Sequence, residues 1–235
     1  MLISDFEIIK YDELDSTQDE VYRLWRQNHK SKIVVLAKHQ TAGRGRNKKV
    51  WESPEGNLYF SMLLHSHDLD NFFTEQLFLP LVVGLSLLEL LKNIRVNCLI
   101  KWPNDIIYED KKLAGVLCEK KDDAYIVGVG INVMTAPIDS AISLSKILKA
   151  DMPKLDHLLT SFLEVFLRRL NCTNKFEIQK ELNSFLYGKN EKAFFGNELV
   201  FIQGIADDGG LIILNGEKSV TLYSGEKVTL IRKLL

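Results

Sequence analysis

The sequence predicts an α+β protein: a larger domain of interleaved helices and strands, followed by a small all-β module. Three observations carry this. Helical and strand periodicities alternate between residues 6 and 186. Residues 57–64 set Leu58, Phe60 and Met62 against Tyr59, Ser61 and Leu63, the period of two expected of a strand. From Phe194 onward short strand signals are separated by glycine turns, the pattern of a small β-barrel. A chain of 235 residues, 46 % of them hydrophobic, can bury a substantial core.

The elements follow in order. Residues 6–11 read as a short strand. Asp15-Ser16-Thr17-Gln18-Asp19-Glu20 opens a helix on which Val21, Leu24 and Trp25 recur at helical spacing. Ser16 or Thr17 suits the N-cap, and Thr17-x-x-Glu20 fits a capping box. Residues 33–37 form a compact buried strand, 39–50 a polar loop, and 57–64 the alternating strand. The apolar stretch 74–93 reads as a buried core helix with Pro80 early in it, where proline does least harm. Its run from Leu77 to Leu91 is broken by Pro80, Gly84, Ser86 and Glu89, short of the roughly 18–20 apolar residues of a membrane span.

Strands at 98–102 and 105–108 flank a Pro-Asn break, and 113–119 and 124–133 form a hairpin around Lys120-Lys121-Asp122-Asp123. Helical segments follow at 140–149, 153–170 and 175–186. In the second, Leu155, Leu158, Leu159, Phe162, Val165, Phe166 and Arg169 make one stripe. The change of pattern near Tyr187-Gly188-Lys189-Asn190 predicts a boundary between domains 1–187 and 188–235. The second carries turns at Asp207-Asp208-Gly209-Gly210, Asn215-Gly216-Glu217 and Ser224-Gly225-Glu226.

Charge and cysteine content narrow the function. Thirty Lys and Arg against 31 Asp and Glu leave a net charge of −1, which argues against a general nucleic-acid or membrane-surface binder. Cys98, Cys118 and Cys172 form no C-x-x-C pair, so neither a disulfide scaffold nor a structural zinc site is expected. With no basic, apolar leader, a cytoplasmic protein is the expectation. His65 and His67 share the predicted strand face without a third metal ligand, and His29, His39 and His157 are isolated.

Four segments stand out chemically. Gln40-Thr41-Ala42-Gly43-Arg44-Gly45-Arg46-Asn47-Lys48-Lys49 joins glycines, which admit close backbone approach, to cationic side chains. It suits a held phosphate or carboxylate, and equally a solvated basic loop or nucleic-acid patch. It is neither a Walker loop nor a Rossmann fingerprint. Lys101-Trp102-Pro103-Asn104-Asp105, followed by Lys112-Leu113-Ala114-Gly115, gathers two lysines, a carboxamide and a carboxylate beside a buried strand, though a plain turn would use similar residues. Asp15–Glu20 is explained by capping alone. Gly128-Val129-Gly130-Ile131-Asn132-Val133 ends a strand on glycines over which a flat ring could lie, or which mark a bulge.

Together these segments resemble the biotin–protein ligases. The D-S-T-Q segment, the G-R-G-R loop after a Gln, K-W-P-N-D, K-L-A-G and G-x-G-I-N-V occur in that family's order and spacing, from about Asp12 to Asn132. The resemblance implies a mixed-sheet catalytic domain of the biotin/lipoate ligase type with a C-terminal SH3-like β-barrel. It implies that ATP converts biotin to biotinyl-5′-AMP, with Mg²⁺, and that biotin then passes to a lysine of a biotin carboxyl carrier protein or domain. By the same resemblance Arg44, Arg46 and Lys112 are catalytic, and Ser16, Thr17, Gln18, Gln40, Arg44, Gly45, Arg46 and Lys112 bind biotin. Arg46, Trp51, Lys101, Asn104, Asp105 and Asn132 bind ATP. No protein cage for a metal is implied; Mg²⁺ would arrive with ATP near Asn104 and Asp105.

After Arg46 the loop departs from the usual G-R-G-R-R-G-R-x-W, with Asn47, Lys48 and Lys49 in place of Arg-Gly-Arg. Too little chain precedes Ser16 for the helix-turn-helix domain of some members, so no DNA-binding role is expected. No membrane partner is expected either, and a monomer or weak homodimer is. The rival readings are a lipoate or octanoate ligase or transferase, whose loop is usually of R-R-x-S-G-G-G type, and a non-catalytic binding module with a basic loop.

Overall fold

A computed structural model describes residues 2–27, 32–69, 73, 77–171, 174–223 and 228–231. Strand β1 (Phe6–Leu14), helix α1 (Thr17–Arg26) and strand β2 (Lys32–Gln40) come first, then β3 (Leu58–His65) and α2 (Phe78–Asn93). Four strands follow: β4 (Leu99–Lys101), β5 (Asp105–Tyr108), β6 (Lys111–Lys121) and β7 (Ala124–Ile131). Next are α3 (Leu144–Leu148), α4 (Leu155–Leu170) and α5 (Lys175–Ser184). The chain closes with β8 (Lys192–Phe195), β9 (Glu198–Ile205), β10 (Leu211–Asn215), β11 (Lys218–Leu222) and β12 (Val228–Leu230).

The first seven strands form one sheet in the order β1-β2-β3-β7-β6-β5-β4. Only β1 and β2 run parallel, and α1 supplies the crossover such a pair requires. The other neighbours are antiparallel. One face is covered by α2 and α4, which pack on each other. Leu58, Phe60, Met62, Val127, Val129 and Ile131 point into that core. α2 is buried along almost its whole length, which accounts for its apolar sequence; no described helix is long and apolar enough to cross a membrane. Arg169, last in the predicted stripe of α4, joins Glu89 of α2 to Glu181 of α5, each at 2.7 Å.

The opposite face is only half covered. Val21 of α1 packs on Ile33, Val35, Leu63 and Ile126, and the cover ends at the start of the helix, Thr17. Beyond it the same face carries Tyr59 and Ser61 on β3, opposite Gly130 and Gly128 on β7. Small residues there leave a hollow rather than a core.

The final five strands form an antiparallel sheet in the order β11-β10-β9-β8-β12. Its Asp207–Gly210 turn presses on the start of α2: a Cβ on Gly209, at φ +87°, would lie 2.9 Å from the Leu77 carbonyl carbon.

Several expectations need correction. The predicted helix at 140–149 is reduced to Leu144–Leu148, because residues 140–142 bond alongside β6: Lys112 N–H donates to Ser140 O and Ile142 N–H to Lys112 O. The capping box does not form. Ser16 is the N-cap, while Glu20 accepts from Tyr11 and Arg23. His67 lies in a 3₁₀ turn, not on the strand, although its ring stacks on His65. The β6–β7 turn is only Asp122-Asp123, with Lys120 and Lys121 inside β6. β1 and β2 both run longer than predicted, to Leu14 and Gln40. The helix start at Thr74, His29, Cys172 and the Ser224-Gly225-Glu226 turn lie outside the described residues.

Candidate active site

The half-covered face opens into a trench of about 540 Å³. Every residue that the resemblance assigns to biotin or ATP lines it: Ser16, Thr17, Gln18 and Gln40 at one end, Arg44, Gly45 and Trp51 in the middle, and Arg46, Lys101, Asn104, Asp105, Lys112 and Asn132 at the other. Five separated stretches of sequence thus meet at the exposed part of one sheet face.

The first end is buried and neutral. Gln40, the last residue of β2, turns its Oε1 to the Thr17 backbone N–H (2.8 Å) and hydroxyl (3.1 Å), so it serves one of the unpaired donors at the start of α1. Gln40 Nε2 donates to Ser53 Oγ at 2.8 Å. Ser61, fully buried, donates to Gln18 Oε1 at 3.0 Å and lies 2.8 Å from Thr17 Oγ1. Gln18 Nε2 donates to Ile126 O at 3.0 Å, and its Oε1 rests on Gly128, where a Cβ would come within 2.5 Å. These amides and hydroxyls fix one another's orientation, which low local dielectric strengthens. They form a donor–acceptor wall set before any ligand arrives.

The middle is a short loop. Gly43 O accepts from Trp51 N–H and Lys49 O from Gly45 N–H, so residues 43–51 fold back on themselves around a 3₁₀ turn at Arg46–Lys48. Asn47 and Lys48 sit at φ +55° and +60°. Lys48 takes this left-handed conformation at the position where the usual ligase pattern has glycine. The Trp51 indole lies on the paired Gly115 and Gly130, where a Cβ would come within 2.8 and 2.5 Å of the ring. The glycine bed expected at the end of β7 is therefore occupied by a ring of this chain. Trp51 Nε1 is buried with no hydrogen-bond partner among the described residues.

The far end carries the charge. Lys112 Nζ sits 2.7 Å from Asp105 Oδ1 and 4.9 Å from the centre of the Trp51 indole. A register shift between β5 and β6 places Lys112 opposite Ile107 while Ala114 pairs with Ile106. Strand alternation alone would send Leu113 to the trench and Lys112 to the core; the bulge reverses them, as bulges beside functional sites do. Arg46 Nη1 donates to Asn104 Oδ1 at 3.1 Å, and Asn104 Nδ2 to Val116 O at 2.7 Å. Asn132 Nδ2 donates to Lys112 O at 3.3 Å. Among the described residues no group of three His, Cys, Asp or Glu side chains is arranged to hold a metal ion.

Several contributors were missed from sequence. Ser53 and Ser61 complete the neutral wall. Asn57 accepts the N–H groups of Val133, Met134 and Thr135 and so shapes the turn after Asn132. Tyr59 lines the trench while its hydroxyl donates to Pro54 O, and burial pushes that hydroxyl up to about 12. The second sheet reaches the site as well: Trp102 Nε1 donates to Gly209 O at 2.8 Å, and Val228 and Thr229 line the cavity. The alternation at 57–64 marked Ser61 as an off-phase polar residue; the others carry no local signal.

Comparison with known proteins agrees with this architecture. Residues 12–134 match the Biotin/lipoate A/B protein ligase family. The bifunctional ligase/repressor BirA of Bacillus subtilis is 32 % identical over 93 % of this chain and 73 % of its own length. The biotin–[acetyl-CoA-carboxylase] ligase of Mycobacterium tuberculosis is 26 % identical over 84 % and 79 %. The structure of the biotin protein ligase from Aquifex aeolicus in complex with biotin and ATP superposes with a TM-score of 0.81, at 33 % identity, over 96 % of this chain and 99 % of that one. With sequence, fold and the order of its motifs in agreement, the chain belongs to the Biotin/lipoate A/B protein ligase family.

Proposed function

We propose that this chain is an ATP-dependent biotin–protein ligase. Biotin's carboxylate attacks the α-phosphorus of ATP, the bond to the β-phosphate oxygen breaks, and pyrophosphate leaves. The ε-amine of an acceptor lysine then attacks the acyl carbon, losing a proton as AMP departs. The observation that carries the reading is the polarity of one trench, a buried neutral hydrogen-bonding wall at one end and cations at the other.

The roles follow from that polarity. Ser16, Thr17, Gln18 and Gln40 present amides and hydroxyls to a ureido ring, which has one carbonyl and two N–H groups to satisfy. Arg44, Gly45, Arg46 and Lys112 border the region where carboxylate meets phosphate. Two unit charges of like sign 4 Å apart repel by about 4 kcal/mol at an effective dielectric of about 20. Fixed cations at Arg46 and Lys112, with Lys101 behind them, offset that repulsion and the charge developing on the leaving group. Trp51 contributes a flat ring and Asn132 a carboxamide suited to a purine. Asp105 and Asn104, beside Lys112 and Arg46, would offer oxygen atoms to the phosphates and their cation. A single carboxylate with substrate phosphates is an ordinary environment for Mg²⁺, which would neutralise phosphate charge there.

The acceptor is a carrier domain of a biotin-dependent carboxylase, as the name of the mycobacterial relative suggests. We assign the ligase chemistry to residues 1–187, with 188–235 as a C-terminal module that closes one wall of the trench. Pyrophosphate exchange and acceptor labelling test the reading together. Exchange that requires biotin, and is not supported by lipoate or octanoate, is expected. Absence of both exchange and acceptor labelling overturns it.

A further inference from the structure

The contacts around Arg44 assign it work other than holding an anion. Glu119 lies on β6, on the same face as Gly115 and Leu117, at the edge of the trench. Its carboxylate accepts from both terminal nitrogens of Arg44, Nη1 to Oε1 at 3.3 Å and Nη2 to Oε2 at 2.7 Å. Oε2 also accepts from Gln18 Nε2 at 3.3 Å. Asp19 Oδ1 approaches the same Arg44 Nη2 at 2.9 Å. One guanidinium is thus enclosed by two carboxylates, and an incoming phosphate would meet their repulsion. Arg46, two residues on, instead donates to the neutral Asn104 carbonyl. The two arginines of the G-R-G-R loop are therefore not equivalent.

Arg44 also bridges to Val50 through the backbone, so it sits at the root of the folded-back loop that carries Arg46 and Trp51. The Glu119 side chain is 24 % exposed and that of Arg44 37 %, and the grip is two-pronged, which makes it stronger than a surface pair with a single contact. We infer that Glu119, helped by Asp19, is a positioning residue that holds Arg44 as a latch. The latch pins the root of the 43–51 loop across the biotin end of the trench and slows escape of the bound adenylate. It also ties the loop to Gln18, so the biotin wall and the loop are held by one carboxylate. The inference rests on the ligase reading for the identity of what is retained; the latch itself is a property of the loop.

Trypsin provides a readout independent of activity, because Arg44, Arg46, Lys48 and Lys49 are all cleavage sites. In the full-length protein, Glu119→Gln keeps the side chain's size and removes its charge. Loop cleavage and release of pre-formed biotinyl-adenylate are each expected to become about tenfold faster, with the KM for ATP changed by less than about twofold. Asp19→Asn should act in the same direction more weakly. Raising salt from about 50 to about 500 mM should speed both processes more in the wild type than in Glu119→Gln, where only the Asp19 pair is left to screen, since screening weakens an ion-pair latch and not a general packing role. Wild-type rates in Glu119→Gln, or equal salt responses in the two proteins, overturn the latch. If the wild type forms no adenylate while its loop cleavage still responds to Glu119→Gln, the ligase reading fails and the latch stands.

Discussion

The two ends of the trench differ in how their polar groups are restrained. At the Ser16–Gln40 end, the polar side chains are buried and bonded mainly to one another or to backbone, and α1, β2 and β3 hold them from below. At the Lys101–Lys112 end the groups are charged and partly exposed, with Lys112 on a bulge and Arg46 on a loop. A neutral ring is best recognised by dipoles fixed in advance, because an unpaired polar group there costs about 1–3 kcal/mol. A triphosphate calls for cations already in place where charge develops, here on a bulge and a loop at the open end of the trench. On the proposed ligase reading, recognition of the ring falls to the buried end and the phosphate chemistry to the charged, more exposed one.

The contrast can be broken at either end. Lys112→Ala removes the cation aimed by the bulge and should lower biotin-dependent pyrophosphate exchange by about 10²–10³-fold. The thermal midpoint should barely move, since Lys112 is not a core residue. Retained exchange would place the chemistry elsewhere. Thr17→Val removes a hydroxyl shared between Gln40 and Ser61 and should weaken biotin about 10- to 100-fold. The KM for ATP should stay unchanged, and titration with each substrate separates the two effects. Gly130→Ala forces a methyl within 2.5 Å of the Trp51 indole. It should destabilise the protein by about 1–2 kcal/mol, measured by denaturant unfolding, and lift the ring from its bed.

The smallest effect concerns pH. The Arg23 guanidinium bonded to Asp15, just before the N-cap, holds that carboxyl at about 2. Its unfolded value is about 3.9, so the pair stabilises the fold fully above about pH 4 and is lost as pH falls toward 2. Because both partners are half exposed, solvent screening keeps the contribution below about 1 kcal/mol. Asp15→Asn should therefore flatten the acid limb of the stability profile only slightly.

What the sequence revealed and concealed follows from the range of the interactions. The G-R-G-R loop, K-W-P-N-D and K-L-A-G are contiguous, and each carries its chemistry within a few residues. Helix α1 was legible from its cap and spacing. Thr17 was explained too readily as part of a capping box, because a helix-start signal looks alike whether its hydroxyl serves the helix or a distant Gln40. Ser53, Ser61, Asn57 and Glu119 depend on strand register, and register is a property of pairs of segments. The reversal of Lys112 and Leu113 needed the bulge, which no local residue announces. The helix expected at 140–149 gave way because β6 offered its backbone partners to the same stretch.

The trench runs from Ser16 to Thr229, and the hydrogen bond from Trp102 to Gly209 O joins its charged corner to the second sheet. A ligand that touches both ends therefore binds only a chain whose distant segments have all assembled, and it gauges the folding of the whole. At a free concentration about 100 times its dissociation constant, such a ligand adds about 2.7 kcal/mol to the native state. Supply of the small molecule would then govern how long the protein survives proteolysis, apart from how fast it turns over.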